Sequence, residues 1–168
     1  MTIQHQEKDP IAILMREHRL ALKRLSQLEQ AVASMTEQGF TRNAFESLSE
    51  AIRFFDSQFR IHDRKEEQFL FPRLEKYKPG ITRDYQAEHR ELWSAFNQLL
   101  SCVQDVEDGR LRGSSRQELV ETAKQIVGLL RTHINNENTF LFPQAKQALS
   151  PLEYKEFGEK VAAEEIMA

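Results

Sequence analysis

Four of the chain's five histidines, His18, His62, His89 and His133, and two glutamates, Glu66 and Glu137, stand at positions where the surrounding periodicity asks for apolar side chains. An ionised carboxylate taken out of water without a partner costs several kcal/mol or more. A lone histidine on an apolar face is normally a hydrogen-bonded core residue. Six polar groups on four apolar stripes are a different problem, because the buried partners at hand are mainly each other. A cation at their centre satisfies all six at once. His62 and Glu66 are four residues apart, as are His133 and Glu137, so each pair lies on one helical face and converges on one point.

Imidazole with carboxylate suits iron, manganese or zinc, and the lack of thiolate ligands argues against structural zinc. The set is too large for one tetrahedral ion and suits two octahedral ones. If each glutamate bridges both ions and each half of the chain gives its two histidines to one of them, each ion has two nitrogens and two carboxylate oxygens. A bridging oxo or hydroxo group adds a fifth ligand, and one position on each ion stays open. Open positions on a redox metal imply small-ligand chemistry.

The sequence repeats itself around these residues. His62 to Pro72 reads HxxxExxFLFP, and so does His133 to Pro143, an offset of 71 (133 − 62). The same offset carries Glu17-His18-Arg19 onto Glu88-His89-Arg90 (89 − 18 = 71). Two helical hairpins of one design are expected, over 9–79 and 80–147, with a pseudo-twofold axis through the metal site.

The elements that position these residues are legible in the apolar steps. The first stripe runs Ile11, Leu14, Met15, His18, Leu22, Leu25, Leu28, Val32 and Met35 in steps of three and four, the period of a helix face. Asp9-Pro10 starts this helix and Gly39 ends it. Thr41 can cap the second, whose stripe is Phe45, Leu48, Ile52, Phe55, Phe59, His62, Glu66 and Phe69; Pro72 should kink or end it. Thr82 can cap the third (Tyr85, His89, Leu92, Phe96, Leu99, Val103, Val106). After a connection at Asp108-Gly109 and Gly113, Ser115 with Glu118 reads as a capping box for the fourth. That stripe is Leu119, Ala123, Ile126, Leu130, His133, Glu137 and Phe140, with Pro143 as its breaker. His18 and His62, and His89 and His133, fall at matching heights in their hairpins, to within a few Å at ~1.5 Å per residue. Ser150-Pro151 opens a short final helix carrying Leu152, Phe157 and Val161. The fold class is all-α: an antiparallel up-down four-helix bundle over 9–147, after a tail over 1–8 and before a short helix within 148–168.

The HxxxExxFLFP elements and the two spaced EH elements resemble the hemerythrin-like family of HHE cation-binding domains, over roughly residues 9 to 147. The resemblance implies a non-haem di-iron site held by His18, His62, Glu66, His89, His133 and Glu137, binding oxygen, nitric oxide or peroxide. Family members include oxygen carriers, oxygen and iron sensors, and proteins that repair iron centres. The oxygen carriers have a second histidine one turn from the first in helix three, where this chain has Tyr85 before His89 and Trp93 after it. Their last ligand is an aspartate at another spacing, where this chain has Glu137. The ligand set is thus four-His, two-Glu and nearly symmetric, which argues against reversible carriage and for reactivity at both irons. Two readings stay open: a protein that binds, stores, scavenges or senses oxygen or nitric oxide, and a di-iron oxidoreductase that consumes peroxide or nitric oxide. A third, an iron donor for repair of iron–sulfur centres, is weakened because repair-type relatives carry an added cysteine-containing N-terminal domain. Sensors carry a fused output domain, and these 168 residues contain neither.

Three roles are open to Tyr85: iron ligand, hydrogen-bond donor to a bound ligand, or core aromatic. Phe55, Phe59, Phe96 and Phe140 lie about one turn from ligands and should exclude water, and Trp93 reads as core. Glu17, Glu88, Arg19 and Arg90 adjoin ligands, but a neighbouring residue turns ~100° away on a helix, so surface ion pairs are expected of them. Asp63, Glu67, Asn136 and Asn138 read the same way. His5 lies in the tail and is not expected to ligate. Charged residues make up 29% with a net charge of −3, and no basic stripe interleaves with aromatics, so no nucleic-acid partner is expected. No apolar run is long enough to span a bilayer, and the first ten residues have no apolar signal region, so a cytoplasmic protein is expected. Cys102, the only cysteine, cannot form an intramolecular disulfide or a CxxC centre and reads as a small buried residue.

Overall fold

The computed structural model describes residues 8–110 and 113–166. The expected tail falls outside these residues except for Lys8, and so does His5. Helix α1 (Pro10–Gln38) begins where the Asp9 carboxylate accepts the backbone N–H groups of Ile11 and Ala12, with Pro10 in the first turn. It stops at Gly39, whose φ of 88° suits a residue without Cβ. Thr41 caps α2 (Arg42–Phe54) by accepting the Ala44 N–H. The second long helix continues through a π turn (Phe55–Phe59), α3 (Arg60–Lys65), a second π turn (Glu66–Leu70) and α4 (Phe71–Tyr77). The second hairpin is α5 (Arg83–Glu107) and α6 (Gly113–Asn136), extended by a π turn (Glu137–Leu141) and α7 (Phe142–Ala148). Helix α8 (Pro151–Ala162) opens with a capping box between Ser150 and Glu153. No strand occurs among the described residues, and no helix there is long and apolar enough to cross a membrane.

The helices of each hairpin run antiparallel. Arg24 meets Glu50 at 2.7 Å, and three residues further along α1 Gln27 donates to the Ser47 carbonyl at 3.0 Å, three residues back along α2. Helix α1 packs on α2 and α6, and α5 packs on α6 and α2, which closes the four-helix ring. Helix α8 lies across the start of α1. The crossing is close enough that a Cβ on Gly158 would stand 2.1 Å from the Lys8 carbonyl oxygen, so only glycine fits there.

Five expectations need correction. Neither Pro72 nor Pro143 ends its helix: each follows a π turn, where an added residue widens the spiral and accommodates the proline ring and missing donor. The added residue also rotates the stripe by about 100°. Leu70 and Phe71, and Leu141 and Phe142, are therefore buried, while Phe69 is only half-buried and Phe140 is 46% exposed and excludes no water. Thr82 makes no cap hydrogen bond; its hydroxyl donates to Glu75, which also accepts the Gly80 and Thr82 N–H groups and ties the loop. The fourth helix begins at Gly113, two residues before the expected cap Ser115, and Leu152 of α8 is 66% exposed while Phe157 and Val161 are buried.

The core has two apolar parts. The larger runs along α1, α2, α5 and α6 and includes Leu25, Leu48, Phe55, Phe96, Ile126 and buried Cys102. The smaller gathers Ile11, Leu14, Phe71, Phe142 and Phe157 near the opposite end. On every long helix the polar residues lie between members of the two: His18 between Leu14 and Ala21, His89 between Tyr85 and Leu92, His62 and Glu66 between Phe59 and Leu70, and His133 and Glu137 between Leu130 and Leu141.

Candidate metal centre

All six sequence-predicted ligands meet in the band between the apolar clusters, none more than 1% exposed. The height matching holds: the His18 and His62 rings lie 4.7 Å apart, and those of His89 and His133 4.8 Å apart. Each of these four histidines turns Nε2 inward. Glu66 reaches both hairpins, with Oε1 2.9 Å from His62 Nε2 and Oε2 3.3 Å from His89 Nε2. Glu137 does the same, with Oε1 2.6 Å from His133 Nε2 and 3.5 Å from His18 Nε2.

These atoms are close but not aligned for mutual hydrogen bonding. His18 Nε2, His62 Nε2, both Glu66 oxygens, both Glu137 oxygens and Asp63 Oδ1 are buried without a hydrogen-bond partner. So many orphaned donors and acceptors facing one another fit ion ligands and no ordinary core. They form two overlapping groups whose ligand atoms lie within 4.8 Å of one another: His18, His62, Glu66 and Glu137, and Asp63, Glu66, His89 and His133. Each hairpin's two histidines thus share a group, and Glu66 belongs to both.

The other face of each imidazole is held as well. His62 Nδ1 lies 3.0 Å from Glu17 and His133 Nδ1 2.5 Å from Glu88. His89 Nδ1 lies 2.8 Å from Glu67, and His18 Nδ1 2.7 Å from Asn138 Oδ1. A carboxylate or amide oxygen on Nδ1 fixes the tautomer with Nε2 free to ligate and raises the basicity of the ring. The bonds obey the 71-residue offset: Glu17 corresponds to Glu88 and Glu67 to Asn138. Sequence reasoning expected surface ion pairs of these four; Glu67 is indeed 49% exposed and only Glu17 is fully buried, but each bonds a candidate ligand's Nδ1 instead. The ~100° turn from the ligand is real, but it points them at the neighbouring helix. Arg19 and Arg90 are exposed as expected.

The electrostatics suit a site that exchanges protons for cations. Burial pushes the His62 pKa down, but the Glu66 charge and the bond to Glu17 outweigh it and hold the ring up at about 10. Burial likewise opposes and Glu137 and Glu88 raise His133 to about 10. Burial alone would lift Glu137, yet His133 and His18 hold it well below the carboxylate range. Burial is the leading influence on Asp63 and raises it, partly offset by His89.

Aromatic rings wall the pair. Phe59 stacks on His62 at 4.6 Å and Phe142 on His18 at 5.2 Å, while Phe71 lies 5.4 Å from His89. Tyr85 packs edge-on against His133 at 6.2 Å, and its hydroxyl donates to the Asn136 carbonyl at 3.4 Å. Burial, with Glu137 and Glu88 nearby, raises the Tyr85 pKa to about 12.

Three residues here escaped the sequence. Lys65 is fully buried, its ammonium 2.7 Å from Glu17 and donating to the Val161 and Glu164 carbonyls. Asp63 is buried, and Trp93, read as plain core, donates its Nε1–H to Asp63 Oδ2 at 2.7 Å. The signal available was asymmetry under the repeat: at the 71-residue offset Lys65 faces Asn136, Asp63 faces Ile134 and Trp93 faces Leu22.

Compared with known proteins, residues 9–145 match the family model of the hemerythrin HHE cation-binding domain. No curated protein sequence matches the chain.

Proposed function

The chain belongs to the hemerythrin HHE cation-binding family, and from that membership we propose that it is a non-haem di-iron protein that binds oxygen, nitric oxide or peroxide at a carboxylate-bridged centre. The observation that carries this reading is the shared position of Glu66 in two four-ligand groups, each holding the two histidines of one hairpin. Iron bound there would supply electron exchange and an attachment point for a small ligand. The protein's own part is to bind, orient and enclose. His18, His62, Glu66, His89, His133 and Glu137 would hold the metals, with Glu66 and Glu137 bridging. Glu17, Glu88, Glu67 and Asn138 aim the four Nε2 atoms inward, and the apolar clusters at either end of the site keep bulk water out.

Elemental analysis of protein made in iron-replete cells should find two irons per chain, with an oxo-to-iron absorption band after oxidation. One zinc per chain and no such band would overturn the reading. Anaerobic reduction followed by oxygen titration separates the two functional readings, since a stable, reversible adduct would mark a binding protein. Rapid irreversible oxidation would instead make the protein a di-iron oxidoreductase.

A further inference from the structure

Resting on the two-ion reading, we infer that Asp63 is a seventh metal ligand, specific to the ion held by His89 and His133. The carboxylate is 3% exposed and divided in its tasks. Oδ2 accepts the Trp93 indole N–H at 2.7 Å, while Oδ1 has no hydrogen-bond partner and lies 3.7 Å from His89 Nε2. A residue that merely oriented His89 would sit on Nδ1, and that nitrogen is already taken by Glu67 at 2.8 Å. Asp63 stands on the Nε2 side, where a metal would be, within 4.8 Å of the ligand atoms of Glu66, His89 and His133. Trp93 is its positioning residue: by binding Oδ2 it holds the carboxylate with the unpartnered Oδ1 toward His89.

The other half of the bundle has no equivalent. At the 71-residue offset Asp63 becomes Ile134, and Trp93 is the counterpart of Leu22. The two ions are therefore chemically distinct. The His89/His133 ion carries one more protein ligand and one more negative charge, and the position open to a small molecule belongs to the His18/His62 ion.

The test uses the full chain loaded anaerobically with Fe(II) enriched for Mössbauer spectroscopy. Wild type should show two quadrupole doublets of equal area. In Asp63→Asn the amide oxygen can still accept from Trp93 and the NH2 group then faces the metal, so ligation is lost while the shape is kept. One doublet should move, the other should stay, and one of the two Fe(II) sites should weaken at least about tenfold, as losing even an outer partner costs 10–100-fold. Asp63→Asn with both doublets and both affinities unchanged overturns the assignment. Should that variant fail to fold, Trp93→Phe keeps the carboxylate and removes its donor: a change in one doublet alone supports the assignment, and no change overturns it. A wild-type chain that takes up a single iron overturns the two-ion reading, which wild type alone reveals.

Discussion

Lys65 and Glu17 form an ion pair at 2.7 Å with neither side chain exposed to solvent, and the same Glu17 holds Nδ1 of His62. One ammonium thus links the candidate centre to the C-terminal segment, because it also donates to the Val161 and Glu164 carbonyls. Breaking a buried pair from one side leaves an uncompensated charge. Lys65→Met should therefore cost about 3–5 kcal/mol in urea denaturation. Amide exchange of residues near 161–166 should rise with it. Unchanged protection there would show that the segment is held by α8 packing alone.

The metal-free protein should be most stable in mildly acidic solution. His62 and His133 are raised from 6.5 to about 10, so their contribution is complete below about 6.5 and is lost as pH rises through about 10. Glu17 and Glu137 are lowered from 4.5, so theirs is present above about 4.5 and is lost as pH falls through their folded values. Denaturation midpoints of the metal-free chain should fall from pH 5.5 to 9.5. Near pH 7, metal uptake should release a proton from each of His62 and His133, read by calorimetry in buffers of different ionisation enthalpy. Uptake without proton release would contradict the protonated rings.

Loss of either glutamate should disturb both metals. Glu66 lies within 3.3 Å of a histidine in each hairpin, and Glu137 within 3.5 Å. Glu66→Ala or Glu137→Ala should lower total iron and abolish magnetic coupling. The buried Nε2 atoms left without a facing carboxylate should cost about 1–3 kcal/mol in the metal-free chain. One magnetically isolated, fully occupied iron in each variant would show that these carboxylates do not bridge.

Tyr85 presents its ring to His133. Its hydroxyl donates to the Asn136 carbonyl, so Tyr85→Phe should cost about 1 kcal/mol or less and leave the spectrum of the loaded protein unchanged. Tyr85→Ala removes the ring packed on His133 and should change it. A displaced spectrum in Tyr85→Phe would put the hydroxyl in contact with the metal pair.

The bundle and the six inward residues were legible because a polar side chain on a 3–4 stripe has nowhere to go but the core. The next ring was not, because it depends on which helix stands beside which. Glu17 adjoins His18 in sequence, yet its bond is to His62, 45 residues away. Asp63 and Lys65 sit in a charged run, HDRKEE, that reads as a solvated face. Partners on other elements turn these two inward: Trp93 of α5 for Asp63, and Glu17 of α1 with the Val161 and Glu164 carbonyls for Lys65. The π turns were hidden as well: a one-residue insertion leaves no mark in composition and shows only in which of Phe69, Leu70 and Phe71 ends up buried.

Two of the Nδ1 bonds cross between hairpins, Glu67 of the first on His89 of the second and Asn138 of the second on His18 of the first. That reciprocal exchange is the contact pattern of an isologous twofold dimer, written into one polypeptide. Covalent fusion removes what symmetry imposes. In a true dimer every substitution appears twice, so an aspartate introduced beside one histidine pair would appear beside the other. Within a single chain position 63 can be aspartate while 134 is isoleucine, and 65 can be lysine while 136 is asparagine. The joined hairpins can therefore differ around their two histidine pairs, which a dimer of identical hairpins could not encode.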